Sequence, residues 1–182
     1  MKRLLLCTGV LIATAFSLSA QQKPPASPPE TATASIAGKT ITINYNSPRV
    51  KGREGKIFTS DGLIKTSGGS QYPIWRGGAN AATTLHTDAD LTIGDLAIPA
   101  GTYTLFVDIS DPDAWTLIIN KKTGEWGLAH DPTQDLGRVK MQMSKPPSMV
   151  EDLIYTIDVS GNAGKITLAW EDHAASVNIM AH

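Results

Sequence analysis

The chain has 182 residues, of which 41% are hydrophobic and 18% are charged, and its formal net charge at pH 7 is -1. Such a near-neutral balance argues against general nucleic-acid binding, which requires a basic surface. The single cysteine excludes a disulfide within the chain. A chain of this length can bury enough surface to be stable through its hydrophobic core.

The first twenty residues carry the pattern of a secretory signal peptide. Two cations, Lys2 and Arg3, precede a short apolar run, and small residues up to Ala20 come before a polar pair. The apolar run is shorter than the roughly 20 residues that a membrane-spanning helix needs. We predict cleavage after Ala20, or alternatively after Ser19, and a periplasmic or secreted protein without a transmembrane anchor. Cleavage would also remove Cys7 and leave a net charge of -3.

The segment that follows is rich in proline. Residues 21–35 hold four prolines among small polar residues, a composition that buries too little apolar surface to fold. We predict an extended, disordered tether over residues 21–35 and a single domain over residues 36–182.

Hydrophobic residues then recur with a period of two. Ile41, Ile43 and Tyr45 share one strand face, and Gly94 and Asp95 form a turn between two further alternating runs. Helical spacing is limited to a possible short turn within residues 127–136. The pattern predicts an all-β fold, an antiparallel β-sandwich or open barrel of about eight to ten short strands with little helix. One long irregular segment, residues 47–73, contains five glycines and is typical of a functional or disordered loop.

Charged and polar donors concentrate around this irregular segment. Residues 49–76 contain six basic and two acidic residues, which predicts an anion-attracting patch or a solvated loop. The planar guanidinium of Arg76 suits a carboxylate or phosphate, and the adjacent Gly77 and Gly78 allow backbone amides to face an anion. The candidate ligand-binding residues are Trp75, Arg76, Asn80, Thr83, Lys51, Arg53 and Trp126.

A structural interpretation of the same stretch stays open. Arg76 could pair with an internal carboxylate, Trp75 could fill the core, and Asn80 could cap a turn. A third possibility is a carbohydrate platform formed by Trp75, Tyr72 and Trp126, because aromatic rings offer rigid faces to sugars.

The sequence contains none of the familiar catalytic motifs. It has no serine nucleophile elbow and no HExxH pair, and its only cysteine lies in the predicted signal peptide. We expect no catalytic residue, no cofactor and no metal site, and read His86, Asp88 and Asp90 as the end of a strand. The favoured function is a non-catalytic binding module for a polar or anionic small molecule or glycan of the bacterial envelope. The alternatives are a glycan-directed hydrolase with Glu125 or Asp131 as its acid, and a structural or assembly protein of the envelope.

Three ordered sequence blocks resemble those of a known bacterial family. They comprise residues 44–53, 75–83 and 98–106, with residues 168–171 as a closing strand. Together they are similar to the domain of unknown function family 2911, a group of exported bacterial proteins, over roughly residues 35–180. The resemblance implies a β-rich exported domain and brings no activity with it. This chain departs from the family pattern in its longer glycine-rich segment 54–73 and in Gly77, where a threonine is more usual.

Overall fold

The computed structural model describes residues 25–68, 70–124 and 126–182. The predicted signal peptide and Cys7 lie outside these ranges. Within them, thirteen strands, one short α-helix and one 3-10 helix follow one another along the chain. The elements are β1 (Pro29–Ile36), β2 (Lys39–Asn46), α1 (Leu63–Thr66), β3 (Ile74–Trp75), β4 (Thr83–Thr87), β5 (Leu91–Ile93), β6 (Leu96–Ile98), β7 (Gly101–Asp108), β8 (Thr116–Asn120), the 3-10 helix (Pro132–Gln134), β9 (Asp135–Lys140), β10 (Gln142–Ser144), β11 (Val150–Ser160), β12 (Ala163–Glu171) and β13 (His173–Ala181). None of the helices in these ranges is long and apolar enough to cross a membrane.

The strands form two antiparallel sheets. The first has the order β1-β2-β4-β7-β8-β9, with β3 also beside β7, and the second has the order β11-β12-β13-β5-β6, with β10 also beside β13. This arrangement confirms the predicted all-β fold as a sandwich. The described strands outnumber the eight to ten expected because β1 lies in the segment predicted as a tether, β3 has only two residues, and the alternation runs from β9 into β10 without a break.

The inward faces of both sheets meet in one core. Ile41 and Ile43 of β2 are fully buried, and Leu168 and Trp170 of β12 are at most 2% exposed. The predicted hairpin is confirmed, since β5 pairs with β6 across Gly94 and Asp95. Burial of alternate residues is what the period-two pattern predicts for strands with one face on a core.

The predicted tether is wrong beyond residue 28, because strand β1 begins at Pro29 and pairs with β2 along its whole length. Ala32 and Ala34 are partly buried and Ile36 is fully buried, whereas the intervening residues are exposed. The alternation is hard to see in sequence because its inward residues are mostly small. Pro29 fits because β1 is an edge strand, where its first residue needs no N–H donor.

Strands β3 and β4 both pair with β7, at successive positions along it. Trp75 of β3 lies opposite Val107, and Thr83 of β4 lies opposite Leu105. Residues 76–82 therefore leave the sheet and return to it only two positions further along β7. We call these seven residues the excursion loop.

The irregular segment 47–73 is ordered where described and packs on the sandwich. Val50 and Ile57 are fully buried and Ile64 of α1 is nearly so. The Phe58 ring lies 4.8 Å from the ring of Trp115 and 5.7 Å from that of Trp170, measured between centroids. This packing brings the basic residues of the segment close to the excursion loop.

Candidate functional site

The excursion loop is held by side chains that bind its carbonyl oxygens. The Tyr155 hydroxyl donates to the Gly77 oxygen over 2.9 Å, and Trp75 Nε1 donates to the Gly78 oxygen over 3.0 Å. A Cβ added at Gly77 would lie 2.4 Å from the Tyr155 hydroxyl oxygen, and one at Gly78 would lie 2.9 Å from the oxygen of Asn46. Both glycines are therefore required for close packing, a role that the sequence did not indicate.

Arg76 begins the loop and reaches across it. Its Nη1 donates to the Asn80 oxygen over 2.6 Å and to the Trp126 oxygen over 3.0 Å. Among the described residues no carboxylate lies within 4 Å of the guanidinium, so the internal ion pair considered from the sequence is not formed there. Partial burial lowers the pKa of Arg76, because a partly desolvated cation lacks a compensating negative charge.

A cavity of about 320 Å³ lies beside the excursion loop, between the loop and the irregular segment 47–73, which we call the basic segment. Four cationic residues line it, and no aspartate or glutamate occurs among its described lining residues. Such an excess of positive charge in a partly enclosed space creates a strong local potential for anions. The four cations are Arg49, Lys51, Arg53 and Arg76.

Only some of these charges are neutralised within the protein. Arg49 Nε lies 2.7 Å from Asp152 Oδ1 in an ion pair that is about half exposed. Arg53 donates from Nε to the Val50 oxygen over 2.9 Å and from Nη2 to the Arg49 oxygen over 2.6 Å. Both arginines are thus oriented, and Arg53 receives no counter-charge from the described residues.

Lys51 is held through its backbone rather than its side chain. Its φ is +50°, in the left-handed region, and its N–H donates to Glu151 Oε1 over 3.0 Å. The ammonium group makes no hydrogen bond or ion pair with the described part of the chain. Lys51 therefore adds a free positive charge to the cavity.

The cavity also has an apolar wall. It includes Leu63 and Ile64 of α1 together with Trp75 and Trp170. The two tryptophans are almost entirely buried. Trp170 Nε1 is buried and has no acceptor among the described residues. A buried N–H without a partner costs about 1–3 kcal/mol, so an acceptor atom near this wall would be stabilising.

Five of the seven predicted ligand-binding residues line this one cavity: Trp75, Arg76, Asn80, Lys51 and Arg53. Thr83 is fully buried in β4 beneath the loop. Trp126 is 62% exposed and lines a separate groove of about 470 Å³. Trp75, Tyr72 and Trp126 line three different cavities, so they form no common platform for a sugar.

Asn80 combines parts of the two interpretations made from the sequence. It has a φ of +56° in the loop, a left-handed conformation that asparagine tolerates better than most residues. Its side-chain amide faces the start of the described chain, with Nδ2 3.4 Å from the Ser27 oxygen. Ser27 also lines the cavity, so a residue from within the predicted tether contributes to the site.

The residues proposed for hydrolysis are not supported in that role. Asp131 caps the 3-10 helix, with Oδ1 accepting from the Thr133 hydroxyl over 2.7 Å and from the Thr133 N–H over 3.0 Å. These hydrogen bonds lower the pKa of Asp131, whereas a general acid requires a raised one. Glu125 lies outside the described residues. At the suspected strand end, His86 Nε2 pairs with Asp88 Oδ1 at 3.1 Å, and Asp90 accepts from the Ala100 N–H.

Arg49 and Trp170 line the cavity but were not among the ligand-binding residues predicted from the sequence. Arg49 belongs to the basic segment, but its pairing with Asp152 depends on a contact across about one hundred residues. Trp170 was expected only as a core residue, and its alternation on β12 gives no sign that it also faces a cavity.

The fold and the cavity define an all-β sandwich with a cationic, partly apolar pocket beside a pinned loop. The chain belongs to the family described as "Protein of unknown function (DUF2911)", which matches residues 27–179. This finding confirms the resemblance carried by the three sequence blocks. No curated protein and no solved structure matches the chain.

Proposed function

We propose that the protein is a non-catalytic binding module that holds a small anionic ligand in the cavity beside the excursion loop. The observation that carries this proposal is the convergence of four cations on a cavity without a lining carboxylate among the described residues. Like charges placed together repel one another, and within the described part of the chain only Arg49 of the four has a carboxylate partner at ion-pair distance. A bound anion would offset this repulsion and the burial of Arg76.

The lining favours a ligand with two chemically different ends. An anionic group would contact Arg76 and Lys51, whose guanidinium and ammonium groups have no carboxylate partner in the described residues. An apolar part would pack on the wall formed by Leu63, Ile64 and Trp75. A volume of about 320 Å³ lies at the lower end of the range of roughly 300–1,000 Å³ seen for ligand pockets. The ligand is therefore small, such as an organic acid or a phosphate ester.

The predicted signal peptide supports the cell envelope or the exterior as the place of binding. Binding there would expose the protein to free acids, phosphate esters and fragments of envelope glycans. A charged glycan fragment remains compatible with the cavity, whereas a neutral sugar would leave the cations uncompensated.

A thermal-shift experiment with matched probes tests the proposal. Benzoate and phenyl phosphate carry an anionic group on an apolar ring, and benzamide and phenol are their neutral counterparts. The proposal predicts that the two anions raise the melting temperature in a concentration-dependent way and that the neutral compounds do not, because only a ligand bound to the native state stabilises it. Equal shifts from charged and neutral compounds, or no shift from any of them, would count against an anion site.

The same experiment distinguishes ligand binding by the four cations from a purely structural role. If the cations only shape the fold, a Lys51→Asn variant will respond to the anions as the original chain does. Asparagine is suited to the left-handed conformation of residue 51, so this variant removes the charge without straining the backbone.

A further inference from the structure

A second group of polar side chains lies at the turn between β12 and β13 and borders a different cavity from that of the four cations. Glu171 begins this turn with a φ of +58°, in a region where glycine is the favoured residue. Its side chain is only 4% exposed, and its carboxylate accepts a hydrogen bond from the Gly55 N–H. The basic segment thus holds a buried carboxylate in place at the end of β12.

Two further donor groups lie next to this carboxylate. His173 Nδ1 is 2.6 Å from Asp172 Oδ1 and 4.0 Å from Glu171 Oε2. One donor atom from each of the three residues lies within 4.8 Å of the other two. Two carboxylates and an imidazole nitrogen therefore converge at one turn.

Some of these donor atoms lack a hydrogen-bond partner in the described residues. His173 Nδ1 is buried and makes no hydrogen bond within the described residues, because the close Asp172 oxygen does not have suitable geometry. Glu171 Oε1 binds the Gly55 N–H, whereas Oε2 accepts no hydrogen bond from the described part of the chain. A buried polar atom such as His173 Nδ1 is nearly always satisfied in native proteins, so this nitrogen points to a group that completes it. Glu171 Oε2, 4.0 Å away, offers a second ligand atom beside it.

Aromatic neighbours fix the orientation of the imidazole. The His173 ring stacks on Trp115 with a centroid distance of 5.5 Å and an interplanar angle of 8°. The Phe58 ring makes a tilted contact with the His173 ring, with their centroids 4.6 Å apart. All three polar residues border a cavity of about 470 Å³ that Phe58 and Tyr72 also line. The cavity leaves room for water or another ligand beside the donor atoms.

We propose that Glu171, Asp172 and His173 bind a divalent transition-metal ion at this turn. An imidazole with two carboxylates is a donor set that suits Zn²⁺ and related first-row ions, whereas Ca²⁺ prefers oxygen ligands alone. Bonds of about 2.1 Å in a tetrahedral site place ligand atoms about 3.4 Å apart. Binding would therefore require Asp172 Oδ1 to move away from His173 Nδ1 and Glu171 Oε2 to move toward it, from their present distances of 2.6 and 4.0 Å. The ion would balance two negative charges and satisfy the unused atoms of Glu171 and His173.

The charge of the turn supports the same assignment. Two carboxylates adjoin each other there, and the side chain of Glu171 is only 4% exposed. A cation at the turn would offset the cost of burying this negative charge.

Calorimetric titration of the full chain without a histidine tag tests the proposal, with Zn²⁺ as the probe and Ca²⁺ as the comparison. We expect one Zn²⁺ site per chain, with affinity reduced at least about tenfold in Glu171→Gln and in His173→Phe. The phenylalanine preserves the ring that stacks on Trp115. His86→Ala is the matched control, because His86 forms an exposed pair with Asp88 elsewhere in the molecule, and it should bind as the original chain does.

Several results would overturn the proposal. These are the absence of saturable Zn²⁺ binding, unchanged binding in both turn variants, loss of binding in His86→Ala, or Ca²⁺ bound as tightly as Zn²⁺. If His173→Phe does not fold, Glu171→Gly replaces it, since glycine suits a φ of +58° and removes the carboxylate. Binding of benzoate by the Glu171→Gln variant should be unchanged, so a failure of the metal site is distinguishable from a failure of the anion site.

Discussion

The Tyr155 hydroxyl of the second sheet donates a hydrogen bond to the Gly77 oxygen of the excursion loop, and the two atoms are 2.9 Å apart. Tyr155 is buried in β11, where burial raises its pKa, so the hydroxyl remains a donor at physiological pH. The contact joins the two sheets at the place where the loop follows β3. The conformation of the loop therefore depends on a residue of the sandwich core.

A Gly77→Ala substitution is therefore expected to be strongly destabilising. The left-handed φ of +63° costs an alanine about 1–2 kcal/mol, and the 2.4 Å approach to the Tyr155 oxygen adds about 1–3 kcal/mol of overpacking. Urea denaturation measures the loss in the free energy of unfolding.

Gly161→Ala is the matched control for this substitution. Gly161 has a φ of +65°, but an added Cβ there meets nothing within 4 Å. It should show only the conformational cost of about 1–2 kcal/mol. An equal loss in the two variants would mean that the Tyr155 contact does not restrict residue 77.

A second prediction concerns Asp135, which lies at the start of β9. Its carboxylate accepts from Asn120 Nδ2 over 2.8 Å, lies 2.8 Å from His130 Nε2, and pairs with Arg138 Nη2 at 3.0 Å. Burial alone would raise the pKa of Asp135, but these three hydrogen bonds outweigh it and hold the pKa below its usual range. A depressed pKa contributes stability above the unfolded value, and this stability is lost as the pH falls through the folded value.

Asp135→Asn should accordingly lower the free energy of unfolding by about 2 kcal/mol at pH 7. The difference from the original chain should shrink as the pH falls from about 4 through the lowered pKa of Asp135, because below that pKa residue 135 is neutral in both proteins. Asp113→Asn, at an exposed turn, should stay within about 0.5 kcal/mol of the original chain. A difference that is independent of pH would show that the charge of Asp135 is not what stabilises the fold.

A third prediction separates the Trp126 side chain from its backbone. The Trp126 carbonyl oxygen accepts a hydrogen bond from Arg76, whereas the side chain belongs to a residue that is 62% exposed and lines another groove. Trp126→Ala should therefore bind benzoate as tightly as the original chain, with a stability change within about 0.5 kcal/mol. Titration calorimetry checks the affinity. A clear loss of affinity would show that the ligand extends beyond the cationic cavity onto the indole.

Much of the fold was predictable because the strands of a sandwich alternate between core and solvent. The pattern of Ile41, Ile43 and Tyr45 predicts β2, and the turn at Gly94 predicts the β5–β6 hairpin. The pattern fails for β1, whose inward residues are mostly alanine and whose first residue is a proline. The pattern also cannot show that β9 and β10 belong to different sheets, because the alternation continues from Val139 to Met143 without a break.

The site was predictable as a set of residue types and only partly as a geometry. The basic segment and Arg76 indicate an anion site because their charges are close in sequence. Burial of Thr83, the packing role of Gly77 and the pairing of Arg49 with Asp152 all depend on contacts with distant strands. The turn at Glu171 escaped prediction for the same reason, since its meaning comes from Gly55 on another segment.

The most direct test of the anion site is a calorimetric titration of phenyl phosphate into four proteins at low and at physiological salt. They are the original chain, Arg76→Gln, Lys51→Asn and the control Lys145→Asn, which removes the same charge from an exposed position outside the cavity. We predict saturable binding that weakens with salt, at least about a tenfold loss for Arg76→Gln and Lys51→Asn, equivalent to about 1.4 kcal/mol, and no comparable loss for Lys145→Asn. Equal affinities in all four proteins, or no binding to the original chain, would contradict an anion site in this cavity.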